Sequence, residues 1–225
     1  MRRILVTGIP RSGSTMLAGM LTDLPRQVVY NEPKPARIPG LQRARRWGVK
    51  QVSVPKIRRT LEVFKPQGVV IMARDPRDAV LSYADRIRRA KRAQDPGVFQ
   101  SMLVKRTRKI WGAALYSMEL AKQPWPVMVV PYNQFVASPE MRCSLGEWLG
   151  WELVEENTSH WIMKDRRLGG RKDEVERTGT VPSDASVLLR EIQRRNPPPD
   201  VAWALVEVEK RSGDYLQWLE SWSRT

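Results

Sequence analysis

Short runs of bulky and β-branched apolar residues alternate along the chain with stretches whose apolar residues recur every three or four positions. Ile4-Leu5-Val6 opens the series as a buried strand running into Gly8. Met16, Leu17, Met20, Leu21 and Leu24 then recur at helical spacing. Val28-Val29-Tyr30 predicts a second strand, closed by Asn31-Glu32-Pro33, and Trp47 to Val54 predicts a third. Pro55 opens a basic helix that runs to Phe64. Val69-Val70-Ile71-Met72 is the strongest strand signal, and a helix follows from Ala79 to about Arg92. Asp95-Pro96-Gly97 breaks the pattern. A long helix then continues to about Ala121, its apolar face marked by Val104, Trp111, Leu115 and Met118. Val127 to Val130 is a further strand. Ser138 and Pro139 supply an N-cap and a first helical position, and that helix ends at Gly150. Residues 163–184 are polar, charged and glycine-containing, which predicts a long loop of the kind that carries function. Helices are expected over 185–195 and 200–223, separated by Pro197-Pro198-Pro199. With no repeat and no linker, the alternation predicts one α/β domain over residues 1–225, built on a central, mostly parallel sheet.

Composition changes this picture chiefly through charge. The 225 residues suffice for one well-buried domain, yet 39 Lys and Arg stand against 24 Asp and Glu, a net +15. Such a field favours nucleotides, sulfated or acidic acceptors, nucleic acid or an anionic membrane, although an arginine-rich proteome gives the same balance. The one cysteine, Cys143, excludes an intrachain disulfide and fits a reducing compartment. It shares helical spacing with Met141, Leu145 and Trp148, which predicts a buried packing residue. The one histidine, His160, leaves too little for a His/Cys metal cluster, and no metal is expected. It is read as structural or surface, with the wall of an acceptor pocket as the alternative. No run of 18 apolar residues occurs, so neither a membrane span nor a signal peptide is expected, and the chain reads as cytoplasmic.

Three constellations fall at the ends of predicted strands, where open α/β sheets bind ligands. Residues 8–15 read Gly-Ile-Pro-Arg-Ser-Gly-Ser-Thr and fit the phosphate-loop spacing G-x-x-x-x-G-K-[ST], with Ser14 in the place of the lysine. Gly8 and Gly13 allow close backbone approach, while Ser12, Ser14 and Thr15 offer hydroxyl and amide donors. The nearest replacement cation is Arg11, suited to neutralising a departing anion. Such a loop grips a phosphate, but not one ending in a transferable γ-phosphate. Second, Arg74 leaves the strongest strand and Ser82 lies about two turns into the next helix, so the pair could hold a second phosphate. Third, Glu32 could accept a proton from a hydroxyl nucleophile.

In this order the three resemble the sulfotransferases that use 3′-phosphoadenosine 5′-phosphosulfate (PAPS). The resemblance continues through Trp47-Gly48-Val49-Lys50, through the segment Val129 to Glu140, which is similar to a "Y-x-x-[LF]-x-x-x-P-E" pattern starting at Tyr132, and through Glu147-Trp148-Leu149-Gly150. It covers most of residues 4–150. It implies a three-layer P-loop fold and sulfuryl transfer from PAPS to an acceptor hydroxyl, leaving the bisphosphate PAP. In that scheme Pro10, Arg11, Ser12, Gly13, Ser14 and Thr15 grip the 5′-phosphosulfate, Arg74 and Ser82 bind the 3′-phosphate, and Tyr132 belongs to the donor site. Glu32 is then the base, Arg11 steadies the leaving group and Lys50 touches the sulfuryl group. A basic loop at Arg171 and Lys172, with Arg177 as second choice, closes over the donor. Gln51 and Val52 after Lys50 depart from the catalytic-histidine strand of the cytosolic phenol and steroid enzymes, so the chain looks closer to the carbohydrate and tyrosylprotein branch and its bacterial relatives. The implied acceptor is a hydroxylated small molecule, glycan or peptide.

The alternatives are a P-loop kinase, disfavoured by Ser14, a donor-binding relative without activity, and a basic nucleic-acid-binding protein. The last would use Arg86, Arg88, Arg89, Lys91 and Arg92 with Lys105, Arg106, Arg108 and Lys109, but no nucleic-acid motif accompanies them. Trp47, Trp111, Trp161 and Tyr83 could form a stacking surface for an acceptor, although tryptophans at such spacing commonly belong to the core.

Overall fold

The computed structural model describes residues 1–23, 26–41, 44–89, 95–154, 161–163, 174–175 and 184–223. Among these, seven strands form one sheet: β1 (Arg3–Gly8), β2 (Gln27–Asn31), β3 (Arg46–Lys50), β4 (Gly68–Ala73), β5 (Val127–Pro131), β6 (Trp161–Met163) and β7 (Glu174–Val175). Their order is β5-β4-β1-β3-β2-β6-β7, and only the β6–β7 pairing is antiparallel. The helices are α1 (Ser14–Met20), α2 (Val54–Phe64), α3 (Pro76–Arg88), α4 (Pro96–Ala121), α5 (Tyr132–Ala137), α6 (Pro139–Leu149), α7 (Asp184–Arg195), α8 (Pro199–Arg211) and α9 (Gly213–Ser223).

The strands are continuous apolar runs because helices cover both faces of the sheet, and successive residues point to opposite layers. Ile4, Val6, Val70, Met72 and Val130 pack on one side against Leu17 of α1, Phe135 of α5 and Leu145 and Leu149 of α6. Leu5, Val69, Ile71 and Val129 pack on the other against Ile57 of α2, Leu120 of α4 and the partly buried Leu219 of α9. Behind that layer α3, α4 and α8 build a helical cluster of their own around Leu81, Leu103, Ile110 and Leu205. Burying each such side chain contributes about 1.5–3 kcal/mol. The fold is a three-layer α/β arrangement around a mostly parallel sheet.

Several boundaries differ from the sequence reading. β3 ends at Lys50 rather than Val54, which already belongs to α2. The long helix α4 buries Leu103, Thr107, Ile110, Ala114 and Ser117, a stripe rotated away from Val104, Trp111, Leu115 and Met118. Small residues on that stripe admit close helix contact, and Trp111 and Met118 pack at its margin. Cys143 is exposed rather than buried. The buried face of α6 is Arg142, Leu145, Gly146 and Leu149, because the Arg142 guanidinium turns inward and donates to the carbonyls of Phe135 and Val136 at 2.8 and 3.0 Å. The expected helix over 200–223 is two, broken at Ser212 before Gly213, both poor helix formers. β7 lies within the stretch read as loop.

Candidate active site

Parallel pairing brings the site together. Gly8 of β1 lies opposite Met72 of β4, Val6 opposite Lys50 of β3, Asn31 of β2 opposite Lys50, and Ala73 of β4 opposite Pro131 of β5. The carboxyl ends of five strands therefore share one edge, and whatever follows each strand converges there. The chain runs from β3 across β1 to β4, so the sheet changes winding direction beside β1, where such sheets open a crevice.

The loop after β1 has a backbone that tolerates few residues. Gly8 has φ 139°, and a Cβ there would lie 2.2 Å from the Met72 carbonyl oxygen. Gly13 has φ 88°, and its Cβ would meet the Tyr132 ring at 2.7 Å. Arg11 takes a left-handed φ of 72° despite its side chain, a conformation costing roughly 1–2 kcal/mol. Two bonds hold it: the Arg74 guanidinium donates to the Arg11 carbonyl at 3.0 Å, and Arg11 Nε donates to Ser82 Oγ at 3.0 Å. Ser12 turns inward. Its N–H donates to the Ile9 carbonyl at 3.1 Å, and its Oγ is buried without a hydrogen-bond partner among the described residues.

Arg74, at the end of β4, is largely buried. Its guanidinium carbon lies 4.0 Å over the Tyr132 ring, and Nε stands 3.6 Å from the Asp78 carboxylate. Its backbone N–H donates to the Tyr215 hydroxyl at 3.3 Å, so α9 is tied to the strand end. Burial pushes the Asp78 carboxyl above the usual carboxylate range, and Arg194 and Arg74 pull it back. Arg194, from α7, donates to Asp78 at 2.8 Å.

Glu32 follows β2 in a left-handed conformation, φ 52°, and its N–H donates to the Lys50 carbonyl at 2.8 Å. Lys50 Nζ donates to Glu32 Oε1 at 2.6 Å. The partners differ in exposure: the Lys50 side chain is 4% exposed and that of Glu32 38%. Burial pushes the Lys50 ammonium below the usual lysine range, and the Glu32 carboxylate opposes that shift. Burial, reinforced by Arg86, also lowers the Arg11 guanidinium.

Pro10, Arg11, Gly13, Ser14, Thr15, Glu32, Lys50, Arg74, Ser82 and Tyr132 all line one cavity of about 280 Å³. Ser12 is not among its lining residues, and Arg171, Lys172, Arg177 and His160 lie outside the described residues. Tyr83 and Arg86 join the wall. Arg86, which the sequence assigns to a basic helical face, stands one turn after Ser82 on α3, a spacing that puts both on one side. A second cavity of about 1030 Å³ adjoins the first and shares Pro10, Glu32, Val52, Tyr83 and Arg86 with it. The smaller cavity sets Arg11, Lys50, Arg74 and Arg86 against one carboxylate, Glu32, among the described residues. It is a site for an anion of several charges beside a carboxylate that can hold a proton. Trp47 packs in the core against Phe64 and Tyr30 and contributes to neither cavity.

No family model and no curated protein matches the sequence. Among solved structures, the mouse sulfotransferase SULT7A1 complexed with PAP matches over 98% of this chain and 88% of its own, with a TM-score of 0.56 and 14% identity. The chain has a sulfotransferase-like fold. Among the described residues no group of three His, Cys, Asp or Glu side chains is placed to hold a metal ion, and no helix is long and apolar enough to cross a membrane.

Proposed function

We propose that this protein transfers the sulfuryl group of PAPS to an acceptor hydroxyl. The proposal rests above all on Glu32, which lines both cavities at their junction, between a cationic recess and a larger, partly apolar one. A donor held in the first recess and an acceptor in the second would meet beside that carboxylate. The likeness to a sulfotransferase solved with PAP supports the choice of donor.

The small recess matches the phosphate end of such a donor. Arg74 and Ser82 would take the 3′-phosphate, while Arg11, Ser14, Thr15 and the Gly13 backbone would take the 5′-phosphosulfate. A Cβ at Gly13 would fill this cradle, and Arg74 Nε has no hydrogen-bond partner among the described residues. Glu32 accepts the acceptor's hydroxyl proton as its oxygen bonds to sulfur. The bond from sulfur to the bridging oxygen breaks, and the electron pair leaves with the bisphosphate. Sulfuryl transfer is physically close to phosphoryl transfer, whose loose transition state leaves the protein chiefly positioning and charge stabilisation to perform. Arg11 and Lys50 supply the cations near the departing oxygen. Incubation with radiolabelled PAPS and a panel of hydroxylated metabolites, glycans and peptides should give a labelled product with at least one acceptor. PAPS turnover with none of them, alongside transfer from ATP, would replace this reading with a kinase.

A further inference from the structure

The larger cavity carries a charge pattern that sulfuryl transfer alone does not require. Lys56 of α2, Arg86 of α3, and Arg106 and Lys109 of α4 surround it, and Glu32 is the one acid among its described lining residues. None of the four cations forms an ion pair among the described residues. Arg106 instead lies over the Tyr83 ring, 5.1 Å from its centroid. Other arginines on the same helices are matched: Arg59 pairs with Glu62 at 2.6 Å, and Arg88 with Asp200 at 2.7 Å. Arg58 of α2 and Lys105 and Arg108 of α4 are also without an acid partner among the described residues but are exposed outside the recess, whereas these four cations share one cavity.

Between the cations the wall is apolar. Ile87 of α3 and Met102 and Ala113 of α4 line it, with Ile87 and Ala113 buried in the helical cluster behind. Gly112 opens the floor further, since a Cβ there would meet nothing within 4 Å. A volume near 1030 Å³ admits a compound of small-molecule size, with apolar surface for its body and cations for its ends.

We propose that this cavity binds an amphipathic acidic acceptor: an apolar body bearing a carboxylate, sulfate or phosphate, with a hydroxyl turned toward Glu32. Only the hydroxyl's role rests on the sulfuryl-transfer reading. The anion is recognised at a distance from the reacting oxygen, so it contributes orientation and affinity. A neutral compound of the same shape keeps the apolar contacts and loses the charge complementarity. Nucleic acid could use the same cations, but its stacked bases need an extended track and aromatic platforms rather than one recess with an aliphatic wall.

Fluorescence titration with 6-hydroxy-2-naphthoate and with uncharged 2-naphthol tests this directly. At low ionic strength the naphthoate should bind at least about tenfold more tightly, as two or more partly exposed ion pairs would give. The Arg106→Gln/Lys109→Gln protein should lose that preference while holding 2-naphthol unchanged. Gly112→Phe, which fills the floor, should weaken both probes. Adenosine 3′,5′-bisphosphate should bind both variants as it binds the parent, which shows that they are folded and reads the donor site separately. Equal affinity for the two naphthalenes, or a preference that survives the double substitution, would overturn the proposal. So would probe binding indifferent to Gly112→Phe, or a single-stranded oligonucleotide that binds more tightly than the naphthoate and loses affinity in the same double variant. Failure of the bisphosphate to bind the parent protein would instead count against the donor assignment.

Discussion

Lys50 carries a positive charge into the end of a buried strand, and Glu32 is the carboxylate that meets it there. Burial lowers the lysine's affinity for its proton, and the neighbouring carboxylate restores part of it. Glu32→Gln removes that support and the proposed base together. Turnover should fall by roughly a hundred- to ten-thousand-fold, while adenosine 3′,5′-bisphosphate affinity stays within about a factor of three. Stability carries a signature of its own. A lysine whose folded-state pKa lies below its unfolded value binds fewer protons when folded, so stability rises with pH across that window. Without Glu32 the window extends to lower pH. The variant's deficit should therefore be larger at pH 7 than near pH 10, because raising the pH removes the lysine charge that Glu32 supports. Breaking a fully buried pair costs about 3–5 kcal/mol, but the exposure of Glu32 reduces the expected loss at pH 7 to about 1–2 kcal/mol. Urea denaturation at the two pH values measures it. An active Glu32→Gln protein would exclude Glu32 as the base.

The elements place these residues through a relay of two contacts that starts at the loop after β1. Gly13 lies against the first residue of α5, Tyr132, and Tyr132 supports the Arg74 guanidinium. Gly13→Ala should force the ring aside, strain the backbone by about 1–3 kcal/mol and weaken bisphosphate binding through Arg74. Gly112→Ala, in the middle of α4 with open space around it, should be neutral or stabilise by up to about 1 kcal/mol and leave donor binding alone. Thermal melting and nucleotide titration of the two variants separate a cradle glycine from an ordinary one. The strand cores and the glycine loop were legible in the sequence because fully buried runs and positive-φ glycines leave strong local patterns. The buried stripe of α4 and the exposure of Cys143 were not. Each depends on which side of a helix meets a neighbour, and inward-turned Arg142 or buried Thr107 and Ser117 disguise that side.

At the scale of the whole molecule, the parallel sheet converts separations along the chain into adjacency. Arg11, Glu32, Lys50, Arg74, Ser82 and Tyr132 belong to different segments yet line one recess, because each follows or ends a strand on the same edge or enters from a helix beside it. Strand order could not be read from the sequence, but placing candidate residues at strand ends was enough to anticipate their meeting. The contributions of Arg194 and Tyr215 were invisible at that level. They come from α7 and α9, and only packing discloses that those helices return to the end of β4. The net charge of +15 was legible as a number and not as a location; four of its cations, from α2, α3 and α4, meet at the larger cavity.

The central claim is that the cationic recess is built for a nucleotide with a separate 3′-phosphate. Calorimetric titration with adenosine 3′,5′-bisphosphate and with ADP tests it most directly, because the two carry the same number of phosphates in different places. The bisphosphate should bind at least about tenfold more tightly, and Arg74→Ala should remove most of that difference by deleting a charge-assisted contact. Equal affinities, tighter binding of ADP, or a preference unaffected by Arg74→Ala would contradict it.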